Sequence, residues 1–246
     1  GCEISGNAIT IPDGLGDAKG GGLCLLNSTV TLDGCTVSNN AITTGINGFC
    51  YGAGIFTMGG ALEITNSLIC SNVANGGWWG WDGGTRGAGI TVQAGALDLS
   101  DSTVQRNFSY CRGVGGGYGG GLYLNGGMHA IRHCLLEENQ CAGGYYGYGG
   151  AIFKAAGGTA EVDRCIVRGN RALTTGGGLY QVGGTLRNSL VCSNWANDNA
   201  GGVRLESAAG RLENCTISDN SSVYGAAGLS MSAGAATNLI VYFNRR

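Results

Sequence analysis

The chain has 246 residues, among them 50 glycines, 11 cysteines and a single proline; 12% are charged and the formal net charge is −2. Charge this sparse and balanced leaves no basic stripe for nucleic acid, and no apolar run reaches the length of a membrane span. The glycines are interleaved in phase with Val, Ile and Leu, which excludes a disordered low-complexity chain.

From the N-terminus onward an aliphatic residue recurs three positions ahead of an asparagine. The pairs are Ile4/Asn7, Val37/Asn40, Ile69/Asn72, Val104/Asn107, Leu136/Asn139, Val167/Asn170, Val191/Asn194, Ile217/Asn220 and Val241/Asn244. Between them recurs a run of small residues closed by an aliphatic, as at Gly22-Leu23, Gly54-Ile55, Gly121-Leu122 and Gly202-Val203. Successive asparagines lie 24 to 35 residues apart, so residues 1–246 read as one solenoid domain built from a repeated unit. The shortest units are too short for two helices and their turns.

Counting back from each asparagine, position −3 is Ile, Val or Leu, position −5 is Cys or Ser in eight of nine units, and position −8 is mostly aliphatic. Positions −3 and −5 share one face of a strand, and the change of phase before them places a bend near −6 and −7. Short strands, bends and a fixed period predict an all-β fold, a single-stranded parallel β-helix of about eight coils. Its hand is expected to be right, as parallel crossovers favour. At about 4.8 Å per coil the rod is on the order of 40 Å long. Asparagine suits the corner because stacked amides bond one another and because it tolerates left-handed turns.

The quartets Gly149-Gly150-Ala151-Ile152 and Gly176-Gly177-Gly178-Leu179, alternating with Val167-Arg168-Gly169-Asn170 and Val191-Cys192-Ser193-Asn194, resemble the GGA[I/L] and FxxN repeats of polymorphic outer-membrane proteins. That family falls within the broader right-handed β-helix group that includes pectate lyases. The resemblance implies a secreted or surface-displayed passenger used for adhesion or scaffolding, and only occasionally an enzyme.

Stretches 41–51, 73–86, 108–118 and 140–148 read as insertions leaving the coil at one corner. Their aromatics, including Phe49, Tyr51, Trp78, Trp79, Trp81, Tyr110, Tyr118, Tyr145, Tyr146 and Tyr148, are expected to form one ridge. Such a ridge is a self-packed lid, a protein contact surface or a sugar-stacking platform. Tyr123, Phe153 and Tyr180 form a second aromatic column.

Candidate chemistry is thin. Glu63 and Asp98 occupy position −9 on adjacent coils, with Glu161 two coils further, and they are the candidate catalytic carboxylates of an enzyme reading. Arg132, Asp163, Arg187 and Glu213 alternate in sign at position −7, which reads as a cross-coil salt ladder. His133 reads as a surface histidine, and neither it nor His129 has a Ser or Cys partner at a telling spacing. Lys154 is expected to end its strand early with a snorkelling stem, the alternative being an inward-pointing catalytic lysine. Cysteine content points to an oxidising, extracellular setting. Cys111 and Cys141 are the best disulfide candidates, and the −5 cysteines read as filling a small packing slot. No metal site and no cofactor are expected.

The opening Gly1-Cys2 suggests a processed segment, and both ends fall at the same phase of the ladder. The rod is therefore expected either to be cut from a longer β-helix or to stack head to tail on copies of itself. The leading expectation is an extracellular structural rod that self-associates into a filament. The alternatives are an adhesin passenger or a carbohydrate-active β-helix meeting glycans through its aromatics.

Overall fold

The computed structural model describes residues 1–13, 16–77, 84–113, 115–181 and 183–246. All regular elements among them are β-strands, stacked in parallel from coil to coil. This is the expected all-β parallel solenoid.

Each coil visits up to four walls. The asparagine wall has nine strands, from Glu3–Ser5 and Thr36–Ser38 to Thr216–Ser218 and Ile240–Tyr242. The second wall has eight, from Ala8–Ile11 to Ser221–Ser222, and the third has five, from Ala18–Lys19 to Tyr146–Tyr148. The long fourth wall begins with three eleven-residue strands, Leu23–Asp33, Ile55–Thr65 and Ile90–Ser100. It then divides into shorter pairs such as Leu122–Leu124 with Met128–Arg132. The third wall is complete only in the first five coils and shrinks afterwards to single bridges at Thr175 and Asn199. Loss of that wall explains why the asparagine spacing falls from 31 at Asn139/Asn170 to 24 at Asn170/Asn194.

The supposed insertions are therefore walls of the coil. Strands such as Ala41–Thr44, Phe49–Tyr51 and Gly84–Arg86 hold only three or four residues each. Such strands are too short to display an alternation that sequence could reveal.

The asparagines form a continuous ladder, buried from Asn40 to Asn220. Asn107 Oδ1 accepts from Asn72 N at 3.1 Å and from Asn72 Nδ2 at 2.9 Å, while Asn107 Nδ2 donates to Asn139 Oδ1 and to the Ile69 carbonyl, both at 3.0 Å. Every polar site of the amide is used, a pattern Asp lacks the donors to reproduce. The glycine signal belongs to the same device. A Cβ on Gly54 would stand 2.5 Å from the Gly89 carbonyl oxygen and 3.0 Å from Asn72 Cγ, so the small residue is what lets the ladder amide sit inside the coil.

The ladder asparagine is not itself the left-handed residue. That conformation falls on its predecessor, as at Asn39, Ser71, Arg106 and Glu138, and again at position −6, as at Asn66, Asp101, His133 and Arg164. Two sharp corners thus bracket each three-residue strand, and the second of them is the bend that the change of phase predicts.

Position −5 is more than a packing slot. Cys35 N donates to Ser67 Oγ, Ser67 N to Ser102 Oγ, and Cys165 N to Ser189 Oγ, each at 3.0 Å. Each hydroxyl or thiol also donates to the carbonyl two residues back, as Ser102 does to Ser100 at 2.6 Å and Cys134 to Arg132 at 3.1 Å. The site requires a small side chain with an acceptor on Cβ, which is why Ser and Cys alternate there.

All eleven cysteines are free thiols. Cys111 and Cys141 lie inside the rod, on strands Phe108–Cys111 and Gln140–Ala142, and the register sets Cys141 against Ser109 instead. The expected bridge is absent because these positions pack the interior and do not tether loops. Burial pushes the Cys141 thiol up to about 12 and Cys50 up to about 11, which suppresses the reactive thiolate. Cys2 and Cys35 stack with their sulfurs 3.1 Å apart, too far for a bond.

Candidate functional site

The fourth wall carries a longitudinal groove of about 950 Å³ that crosses several coils. Its lining includes Glu63, Asp98, Arg132 and Glu161, with Met128 and the turn residues Ala156–Gly158, Gly183 and Ser207. Register brings the candidate carboxylates into one outward column, in which Glu63 pairs with Asp98, Asp98 with Ala130, and Ala130 with Glu161. A period-two strand stacked without offset must do this.

Arg132 stands in the adjoining column and reaches back to Asp98 at 3.3 Å and on to Glu161 at 3.6 Å. Arg187 repeats the motif, contacting Glu161 at 2.5 Å and Asp163 at 3.4 Å. The salt ladder expected along position −7 is thus a zigzag between two columns. Glu63 is the least committed carboxylate, receiving only a long 3.4 Å bond from the Thr31 hydroxyl. Elsewhere Glu137 and Arg168 pair at 2.7 Å across coils. Among the described residues no group of His, Cys, Asp and Glu is arranged to hold a metal ion.

The aromatic residues divide between walls. Phe49, Tyr51, Tyr118, Tyr146 and Tyr148 belong to the third wall, whereas Tyr110 lies on the second and stacks on Phe108 at 5.7 Å. Trp78, Trp79 and Trp81 lie outside the described residues. Where the third wall meets the fourth, outward side chains from both converge. Tyr118 and Tyr148 pack against the stacked column Tyr123, Phe153 and Tyr180, whose successive rings lie 5.7 and 5.0 Å apart. The Arg86 guanidinium covers Phe49, Tyr51 and Tyr123 at 5.0 to 5.4 Å. Tyr51, Tyr123 and Phe153 are buried although they point away from the coil interior. This corner is a second, external core. Tyr145 and Tyr146 are its exposed rings, at 66% and 49%.

One further position departs from expectation. Lys154 does not end its strand early. It lies at the close of Ile152–Lys154, points inward and is buried, its ammonium donating to the Ala155 and Gly157 carbonyls at 2.6 and 2.5 Å. His129 is buried on the groove floor, in register with Leu97 and Ala160, while His133 is exposed and 3.6 Å from Asp101. The signal for His129 was available in its parity with Leu97, two residues before the aliphatic Leu99.

Comparison with known proteins adds one partial likeness. The family model of the CAP N-terminal conserved motif matches residues 203–239, a stretch that runs from strand Val203–Leu205 through Ala235–Thr237. The match is confined to that C-terminal part of the rod. No curated protein and no solved structure matches the chain.

Proposed function

We propose that the protein is an extracellular β-solenoid rod that acts by binding, with an extended glycan seated along the groove of the fourth wall. The observation that carries this reading is the groove itself, whose outward columns hold the carboxylates of Glu63, Asp98 and Glu161 and the guanidinium of Arg132. Carboxylates and guanidinium groups together accept from and donate to the hydroxyls of a sugar chain. Asp98 and Glu161 are both engaged by Arg132, an arrangement suited to holding a ligand and poorly suited to donating a proton to a glycosidic oxygen. Placement outside the cell rests on the resemblance of the glycine quartets to surface-displayed repeats; the free thiols lend it nothing.

Calorimetric titration with cellohexaose, laminarihexaose, mannohexaose, xylohexaose and hexagalacturonate tests the reading. Binding of at least one oligosaccharide is expected, weakened at least tenfold in a Glu63→Gln/Asp98→Asn variant, with no new reducing ends or unsaturated products formed. Failure to bind any of the five would overturn it, and turnover abolished by Asp98→Asn would replace it with the enzyme reading.

Self-association is a second reading. The edge strand Ile240–Tyr242 leaves Ile240 61% exposed, and it stands at the same ladder phase as the opposite edge strand Glu3–Ser5. Either edge is complementary to another in-phase β-helix coil. Electron microscopy of the purified chain at neutral pH tests this: filaments support it and isolated short rods rule it out.

A further inference from the structure

The outward face that floors the groove carries two columns of unlike chemistry. One holds Glu63, Asp98 and Glu161, and the strand positions two residues earlier form a second column on the same face. That second column begins at Thr29, which pairs with Ala61, and Ala61 pairs with Ala96. Met128 continues it on the next coil, one residue ahead of the Leu97/His129 pair, and Thr159 follows in register with Met128. Within the groove, threonine thus gives way to two alanines and a methionine. Ala130 interrupts the carboxylate column on the same coil as Met128.

Solvated strand positions favour polar and β-branched residues, and alanine is a poor strand former. Met128 is nevertheless 74% exposed, and Ala61 and Ala96 are half-buried on the groove side, so all three are open to a ligand. Glu63 stands beside them, exposed, its carboxylate receiving only the 3.4 Å bond from Thr31. An acceptor with spare capacity therefore lies about 7 Å across the face from an apolar strip.

We propose that the groove selects a glycan bearing acetamido groups, whose methyls seat on Ala61, Ala96 and Met128 while an amide N–H donates to Glu63. The proposal rests on the glycan reading of the groove and names its substrate class. A plain glucan carries a hydroxyl at the same carbon, which reaches Glu63 but leaves the methyl strip in water. A polyuronate brings its carboxylates against a lining that holds three carboxylates, Glu63, Asp98 and Glu161, and one guanidinium, Arg132. Each methyl removed from water strengthens binding about fourfold, so two seated methyls give more than about tenfold.

N-acetylchitohexaose and cellohexaose share one β-1,4 backbone and differ in bearing an acetamido or a hydroxyl group beside the anomeric carbon, so calorimetric titration with this pair is the test. Wild-type protein is expected to bind N-acetylchitohexaose at least tenfold more tightly than cellohexaose, and hexagalacturonate more weakly than either. An Ala96→Ser/Met128→Ser variant should keep the wild-type melting temperature and the affinity for cellohexaose, and lose at least fivefold toward N-acetylchitohexaose. Met128→Ser alone, at an exposed side chain, should lose part of that factor and keeps the test open if the double variant unfolds. If wild type binds no oligosaccharide at all, this proposal and the glycan reading fall together. If it binds a neutral hexaose but N-acetylchitohexaose no tighter than cellohexaose, only the acetamido selectivity falls. Preference for hexagalacturonate, or serine variants that weaken both sugars alike, would also overturn it.

Discussion

Asn107 illustrates how much of the rod depends on single side chains. Replacing it with Ala removes the acceptor for two buried donors of Asn72 and deletes two donations of its own. Orphaned donors cost about 1–3 kcal/mol each, so Asn107→Ala should lose at least about 3 kcal/mol in urea unfolding. Asn107→Asp should be no better, because a carboxylate would face the Asn139 oxygen and the Ile69 carbonyl. Ser102 gives a graded comparison. Ser102→Ala leaves the Ser67 amide without its acceptor and should cost about 1–3 kcal/mol, whereas Ser102→Cys, the residue found at positions 134 and 165, should cost less than about 1 kcal/mol. His129 adds a pH dependence. Its folded pKa near 4 lies below the ordinary 6.5, so the unfolded chain takes up the proton first and stability falls as pH drops from about 6.5 to 4. Melting curves of wild type should decline across that window by the equivalent of up to about 3 kcal/mol relative to His129→Leu.

At the scale of elements, the concave corner between third and fourth walls behaves as a core in its own right. Phe153 sits at its centre, with rings of Tyr118, Tyr123, Tyr148 and Tyr180 around it at 5.0 to 6.4 Å. Phe153→Ala should therefore cost about 3–5 kcal/mol in urea unfolding, as for an interior aromatic, although the side chain points outward from its strand. A loss under about 1 kcal/mol would show that the rings are a surface platform. The stacking of Tyr123, Phe153 and Tyr180 was legible in sequence, because equal positions in consecutive repeats must lie side by side. Their burial was not, since it depends on the third wall, whose three-residue strands carry no periodic signature.

For the whole molecule, the rod's axis is continuous from Asn7 to Asn244, and each ladder amide bonds the next without a break. A solenoid of this kind holds together through nearest-neighbour contacts, so damage in one coil weakens its two neighbours first. Hydrogen exchange on Asn107→Ala should accordingly show faster exchange in strands Leu68–Cys70, Thr103–Gln105 and Leu135–Glu137 than in strands four coils away; uniform loss of protection would indicate a single cooperative unit.

The sequence by itself determined the repeat, the parallel stacking, the ladder asparagines and the shared column of Glu63, Asp98 and Glu161. All of these follow from period and parity, which survive in one dimension. Only the tertiary structure decided that the apparent insertions are walls and that Cys111 and Cys141 face the interior. It alone showed that Arg132 ties the carboxylates together, and that His129, Lys154 and Gln181 replace aliphatic residues in buried inward columns. Those facts depend on how far each corner turns the chain. That angle is set by packing between walls, and no periodicity along the sequence records it.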